Sequence, residues 1–191
     1  LGLNLNYADQ QEDAIKLLEQ FKINKHPDME SLLDIYLSLG MFYIQSENYR
    51  KAKQLFAEFY HTDNWYIQKA GKEWTIKKNL IEIILNVELE QIDLVESRLK
   101  SFRRMYGPYL KQIKQERVLT YLNLVEFYHK NPEQITSQKF KDKVENSFEW
   151  LEAKQEDIFV MSFYAWLKSK MEQQPLFTTT LELVKRAQVV N

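Results

Sequence analysis

The sequence predicts an all-α protein of about ten helices arranged in about five antiparallel pairs. Three observations support this fold class. The chain of 191 residues contains only 4 Gly and 4 Pro, where average usage would give roughly 13 and 10, so long helices with short connections are expected. Apolar residues make up 45% and charged residues 28%, a balance typical of packed amphipathic helices. In addition, one pattern of residues occurs twice with the same spacing.

The clearer copy of this pattern lies in residues 33–66. Its apolar and small residues are Tyr36, Leu39, Gly40, Tyr43, Ala52 and Phe56. The other copy lies in residues 1–24, and the equivalent positions are Leu1, Gly2, Leu5, Ala14 and Leu18. Each copy predicts one helical hairpin. A Gly inside a helix costs about 1 kcal/mol relative to Ala, so its presence in both hairpins calls for a structural reason.

These residues resemble the tetratricopeptide repeat, whose signature is W-x2-L-G-x2-Y, then A-x3-F and a closing Pro. Tyr36 stands in the place of the Trp, and Asn64 stands in the place of the Pro. The resemblance implies a right-handed α-solenoid in which small residues let neighbouring helices approach closely. Gly40 and Ala52 would then be contact points between helices.

Beyond residue 66 the apolar residues continue at helical spacing and predict three less regular pairs, at 67–106, 108–153 and 155–190. A new helix is expected after Gly107 and Pro108, because Gly often ends helices and Pro is favoured in a first turn. Gly71 is also expected at a helix end, and Pro175 is expected to open the last helix. We expect residues 1–191 to form a single repeat domain cut from a longer protein, since the chain starts in mid-signature without an initiator Met.

Charge and composition restrict the partners. The net charge of −1 and the pI near 6.4 provide no overall field to attract nucleic acid or acidic lipid, which argues against nucleic acid as a partner. The uncharged run at 35–46 is too short to span a bilayer, so no membrane-spanning segment is expected. The absence of Cys fits a reducing compartment, and we expect a cytoplasmic location.

The sequence shows no catalytic residues, metal site or cofactor site. His26, His61 and His129 are far apart and lie near predicted helix ends, where surface or capping roles are expected. Glu126 and His129 form an E-x-x-H pair, but di-iron bundles need a second such pair, and the chain has none. We therefore expect a non-enzymatic protein. An all-helical enzyme with a degenerate site remains the weakest alternative.

The resemblance implies a concave groove lined by the first helix of each pair. The positions that would face this groove are Asp34, Leu37, Met41, Ile44, Asn79, Asn86 and Asn123. Such a groove would be largely apolar in the second pair, with Met as an adaptable contact, and its amides could bond an extended peptide backbone. The alternative is that the three asparagines are ordinary exposed residues.

A basic segment provides a second candidate site. It contains Arg98, Lys100, Arg103, Arg104, Lys111 and Lys114. These residues could bind an anionic partner such as an acidic peptide or a phosphate. Alternatively, Arg103 and Arg104 complement the carboxyl end of a helix while the other side chains form a solvated face.

Taken together, these features predict an interaction module that binds a peptide or helix segment of another protein. The alternative is the peptide-sensing domain of a bacterial transcription regulator with a helix-turn-helix domain upstream. Leu1, Leu3 and Leu5 belong to a first helix that starts in mid-signature, so self-association through the amino-terminal end is also expected.

Overall fold

The computed structural model describes residues 1–24, 28–147 and 158–189. These residues form ten α-helices and one short 3-10 helix, and none of them lies in a strand. The predicted all-α class is therefore confirmed. None of the helices in the described ranges combines the length and the apolar character that a membrane span requires. The chain divides into two compact units, Leu1–Leu85 and Asn86–Asn191, which are described separately.

The first unit begins with two short helical hairpins. Its helices are α1 (Gly2–Tyr7), α2 (Gln11–Ile23), α3 (Met29–Gln45), α4 (Tyr49–Phe56) and most of α5 (Asp63–Glu88). α1 packs on α2, α2 on α3, and α3 on α4. Because α3 has neighbours on two sides, all of its residues from Leu39 to Gln45 are buried.

The second unit contains the remaining helices. They are α6 (Ile92–Gln112), α7 (Arg117–Lys130), the 3-10 helix (Pro132–Gln134), α8 (Gln138–Ser147), α9 (Ile158–Glu172) and α10 (Leu176–Val189). α6 packs on α7, α7 contacts α8, and α9 packs on α10. Pro175 directly precedes α10, as predicted. The predicted end of the fourth pair at 153 and the start of the fifth at 155 lie outside the described residues.

The glycines at the two equivalent positions both mark a close approach between helices. A Cβ atom on Gly40 would lie 2.8 Å from Cε2 of Phe56, and one on Gly2 would lie 2.9 Å from Cδ2 of Leu18. Leu18 and Phe56 are themselves equivalent residues of the two hairpins. The predicted role of Gly40 as a contact point is confirmed, and the side chain that it admits is Phe56.

A common turn closes several hairpins. Asp9, Glu47, Glu90 and Gln173 all adopt positive φ values, between 54° and 65°. In each turn the next residue donates its backbone N–H to the carbonyl five positions earlier, for example Asn48 to Tyr43 at 2.7 Å. This is the Schellman arrangement, in which a left-handed residue ends a helix. Asp9 and Glu47 have the same separation as Gly2 and Gly40, so the two hairpins match in their turns as well.

The helix boundary predicted at Gly107 and Pro108 is wrong, because α6 runs through both residues. Pro108 removes one backbone hydrogen bond. However, Tyr106 and Leu110 on either side of it are 1% and 2% exposed, and continuing the helix buries both of them. The helix ends instead at Gln112, where Lys114 takes a positive φ of 56°.

Gly71 interrupts α5, as predicted for a helix end. Its φ of 87° and ψ of 166° lie in a region that only Gly adopts without strain. The Thr75 hydroxyl donates to the Gly71 carbonyl at 2.9 Å. The segment 63–70 can therefore take a different direction from 72–88.

Candidate functional site

The apolar residues predicted to face a groove belong to the core instead. Leu37, Met41 and Ile44 are 2%, 3% and 1% exposed, so they offer no surface to a partner. Their helix is covered by α2 on one side and by α4 on another, and the side chains on both sides of α3 are used for internal packing. Asp34 on the same helix is exposed, and its pKa is raised, first by partial burial and then by the neighbouring Glu30.

The asparagines predicted for the groove take part in contacts within the chain. Asn79 donates its amide to Asp63 at 2.9 Å and to the Thr75 carbonyl at 2.8 Å, which uses both of its N–H groups. Asn123 accepts a hydrogen bond from Arg103 at 3.0 Å, and Asn86 is buried. Two of these asparagines therefore use their side chains in hydrogen bonds within the chain, and the third is buried.

The basic segment is divided between internal and exposed side chains. Arg103 forms an ion pair with Glu126 at 2.6 Å, and the pKa of Glu126 is lowered by hydrogen bonds from Lys130 and then from Arg103. Arg98 is half-buried. The exposed members are Lys100, Arg104, Lys111 and Lys114. Because α6 continues to Gln112, Arg103 and Arg104 do not lie at a helix end as the alternative required.

The two residues of the E-x-x-H pair, Glu126 and His129, both lie on α7. His129 lies in the last turn of α7, and Glu126 bonds Arg103 and Lys130. The residues that the structure describes contain no cluster of three His, Asp or Glu side chains able to hold a metal ion. His26 lies outside the described residues.

A different feature of the first unit stands out, an open cavity of about 360 Å³ that we call the aromatic cleft. Its six rings and one carboxylate belong to Tyr36, Glu58, Phe59, Tyr60, His61, Trp65 and Tyr66. An apolar wall is added by Met29, Leu32 and Leu33 at the beginning of α3. The cleft therefore forms where α3, the connection 57–62 and the first turns of α5 meet.

The rings of the cleft are fixed by contacts with one another. His61 stacks on Trp65 with ring centroids 3.9 Å apart, and Trp65 meets Tyr66 edge-on at 5.1 Å. Phe59 contacts Tyr36 at 5.6 Å and Tyr66 at 5.7 Å. Such aromatic pairs stabilise a defined arrangement, so the cleft is largely formed before any partner arrives.

Hydrogen bonds hold the connection 57–62 in place. The Thr62 hydroxyl accepts from the backbone N–H of Trp65 at 3.4 Å, as an N-cap of α5 does. The backbone N–H of His61 donates to the Tyr66 hydroxyl at 3.4 Å. Behind the cleft, Tyr66 stacks on Trp74 at 5.5 Å, and both side chains are buried.

Glu58 is the one carboxylate among the described residues of the cleft lining. It accepts a hydrogen bond from the Tyr36 hydroxyl at 2.8 Å and forms an ion pair with Lys22. Partial burial, followed by this hydrogen bond, raises the pKa of Tyr36 to about 12. Tyr36 therefore stays protonated at neutral pH and remains a donor to Glu58.

The cleft is open to solvent at one side. Tyr60 is 82% exposed and Met29 is 46% exposed, whereas Tyr66 at the base is 2% exposed. An exposed aromatic ring beside a preformed cavity is the arrangement expected of a binding surface.

Sequence reasoning missed this site, although a signal was present. The segment FAEFYHTDNWY, residues 56–66, contains six aromatic or imidazole side chains, of which Phe56 was predicted to be a repeat residue and His61 a surface residue. The segment follows the best-matching repeat, where a closing turn was expected. Its density of aromatic residues could have indicated a site, but the participation of Tyr36 could not be read from the spacing.

No protein-family model, curated protein or solved structure matches the chain. The aromatic cleft is the feature of the described residues that combines an open cavity, fixed aromatic walls and an exposed edge. The functional proposal therefore depends on the geometry of this cleft.

Proposed function

We propose that the chain is a non-enzymatic interaction module that binds a peptide segment of another protein in the aromatic cleft. The observation that carries this proposal is the cavity of about 360 Å³ lined by six rings, with Tyr60 82% exposed at its edge. Aromatic side chains provide a large contact area and lose little conformational entropy on binding. The cavity is large enough for one or two side chains of a partner.

We also propose that the helix pairs stack as a right-handed solenoid of the tetratricopeptide type. Two local features support this proposal: the equivalent contacts of Gly2 with Leu18 and of Gly40 with Phe56, and the common turn at Asp9, Glu47, Glu90 and Gln173. In this proposal the binding surface differs from the concave groove usual for such arrays. A cytoplasmic location is part of the proposal and is supported by the absence of Cys.

Selection from a random peptide display library tests the proposed function. We expect the chain to enrich a family of related peptides. The variant Tyr60→Ala should lose at least about 10-fold in affinity for them, as hot-spot aromatics typically do. The matched control is Ile92→Ala, because Ile92 is an exposed apolar residue of the second unit, 60% exposed.

Both variants should keep the melting temperature of the parent, since both side chains are largely exposed. The proposal would be contradicted if the library yielded no related peptides. It would also be contradicted if Tyr60→Ala bound the selected peptides as tightly as Ile92→Ala does.

A further inference from the structure

We propose that the aromatic cleft selects a positively charged side chain, Lys or Arg, of the bound peptide. This inference rests on the proposed function and adds the chemistry of the ligand. Among the residues that the structure describes, the lining contains one carboxylate, Glu58, and neither Lys nor Arg. The faces of aromatic rings carry partial negative charge and attract cations within about 6 Å. The described part of the cleft therefore combines aromatic ring faces with one carboxylate.

The same unit already places ammonium groups on its tyrosine rings. Lys22 Nζ lies 5.2 Å from the centroid of Tyr36 and pairs with Glu58. Lys78 Nζ lies 5.4 Å from the centroid of Tyr66 and 3.3 Å from the Asp63 carboxylate. In both cases a cation is held between a ring face and a carboxylate, and both rings line the cleft.

A third cluster away from the cleft repeats this chemistry. Lys51 Nζ lies 5.4 Å from the centroid of Tyr43 and 2.8 Å from Glu19, and the Tyr43 hydroxyl donates to Glu19 at 2.6 Å. The two hydrogen bonds lower the pKa of Glu19. An ammonium group held between a Tyr ring and a carboxylate thus occurs three times in the first unit.

The open side of the cleft offers ring faces to a cation from outside. Tyr60 is 82% exposed and Trp65 is half-exposed, and Trp is the best of the aromatic side chains for this contact. The Glu58 side chain is 43% exposed. Each carboxylate oxygen has two lone pairs, so Glu58 retains acceptor capacity beyond its bonds to Tyr36 and Lys22.

Desolvation decides between a charged and a purely apolar ligand. An apolar side chain that filled the cleft would remove water from Glu58 without replacing the lost hydrogen bonds, which costs free energy. A Lys or Arg side chain would cover the rings with its methylene stem and bring its charge to Glu58. A Lys or Arg side chain can therefore contact the aromatic rings and pair with the Glu58 carboxylate at the same time.

Matched peptides test the charge preference. The probes are acetyl-Gly-Ser-X-Ser-Gly-amide peptides in which X is Lys, Arg or norleucine. Norleucine has nearly the shape of the Lys stem but no charge. Binding is followed by NMR through the indole N–H of Trp65, which the variant Trp65→Phe identifies. We expect Lys and Arg peptides to bind about fivefold to tenfold more tightly than the norleucine peptide.

The outcomes separate this inference from the proposed function. Equal or tighter binding of the norleucine peptide would overturn the charge preference and leave a peptide site intact. If the selected library peptides bound the cleft but contained no basic residue, the inference would also be overturned. If no peptide of any composition bound, both proposals would be overturned.

Substitutions of Glu58 and Tyr60 test which groups of the cleft cause the preference for a charged side chain. Glu58→Gln keeps an acceptor for the Tyr36 hydroxyl but removes the charge, and we expect the preference for Lys over norleucine to fall at least about threefold. The matched control is Glu12→Gln on α2, whose carboxylate side chain is 91% exposed and should leave the preference unchanged. An unchanged preference in Glu58→Gln would contradict the role of the carboxylate.

Tyr60→Leu addresses the ring, and it is tolerated by the fold because Tyr60 is exposed. It keeps an apolar surface at the edge of the cleft, so norleucine binding should persist while the Lys and Arg peptides lose affinity. Tyr60→Phe should restore the preference because it restores the ring face. Equal preferences in Tyr60→Leu and Tyr60→Phe would contradict a role for the ring.

Discussion

A buried polar contact joins the first two hairpins. Asn6 is 0% exposed and donates to the side-chain oxygen of Gln45, 1% exposed, at 2.9 Å. Gln11 donates to the Asn6 oxygen at 3.3 Å. Buried amides are stable only when they are hydrogen-bonded. A shift of α1 along α3 would separate these groups, so the contact favours a single register between the two helices.

The glycine contact is the feature at the residue scale that can be tested most directly. Gly40→Leu should lower the free energy of unfolding by about 1 to 3 kcal/mol, because the added side chain overlaps the Phe56 ring. Chemical denaturation measures the change. Gly107→Ala is the matched control: it is also helical, but its Cβ would meet nothing within 4 Å.

Gly107→Ala should raise the free energy of unfolding by about 0.5 to 1 kcal/mol, since Ala is the better helix former. The two substitutions therefore have opposite expected signs. If Gly40→Leu unfolded at the same denaturant concentration as the parent, the close approach at Gly40 would not contribute to stability.

At the scale of elements, the inter-helix turns determine how each hairpin closes. Glu47 ends α3 with a φ of 56°, although the left-handed region costs residues other than Gly roughly 1 to 2 kcal/mol. The hydrogen bond from Asn48 to the Tyr43 carbonyl and the packing of α3 on α4 offset this cost. The turn is thus maintained by the helices on either side of it.

Glu47→Val should destabilise the chain by about 1 kcal/mol or more, because a β-branched side chain is the most disfavoured at positive φ. Glu47→Gly is the matched comparison and should unfold no more easily than the parent, since Gly adopts this conformation freely. Thermal unfolding followed by circular dichroism provides the measurement. Equal melting temperatures for the two variants would contradict the left-handed turn.

At the scale of the whole molecule, two apolar side chains at the beginning of α1 are exposed. Leu1 is 83% exposed and Leu3 is 36% exposed, although α1 packs on α2. Burying an apolar surface of this kind against another molecule lowers the free energy. The expected self-association through the amino-terminal end therefore stays a prediction.

The double variant Leu1→Ser, Leu3→Ser should shift the chain toward the monomer at concentrations where the parent associates, because it removes apolar area from the contact. Sedimentation or light scattering over a concentration series measures the shift. Ile92→Ser is the matched control, since Ile92 is an exposed apolar residue of the second unit. If the parent were monomeric throughout the series, this end would not be an association surface.

Helix periodicity was enough to predict the all-α class, and the resemblance based on the repeated Gly and Ala spacing implied the contact at Gly40. The all-α class depends on residues a few positions apart, which the helix brings together wherever the rest of the chain lies. Gly40 and Phe56 lie on two consecutive helices that a short turn joins. The expected boundary at Pro108 was wrong for the opposite reason. The burial of Tyr106 and Leu110 is a property of tertiary packing, and it outweighed a local preference of Gly and Pro.

The candidate site shows the same difference between what local sequence patterns determine and what tertiary packing determines. The sequence by itself determined that the chain forms paired amphipathic helices and that residues 56–66 carry many aromatic side chains. Only the tertiary structure decided which helix faces are covered: it buried Leu37 and Met41 and brought Tyr36 next to Phe59 and Glu58. A periodic pattern specifies which side chains share a face of a helix. Whether that face meets another helix or the solvent depends on contacts between distant segments, which the pattern does not contain.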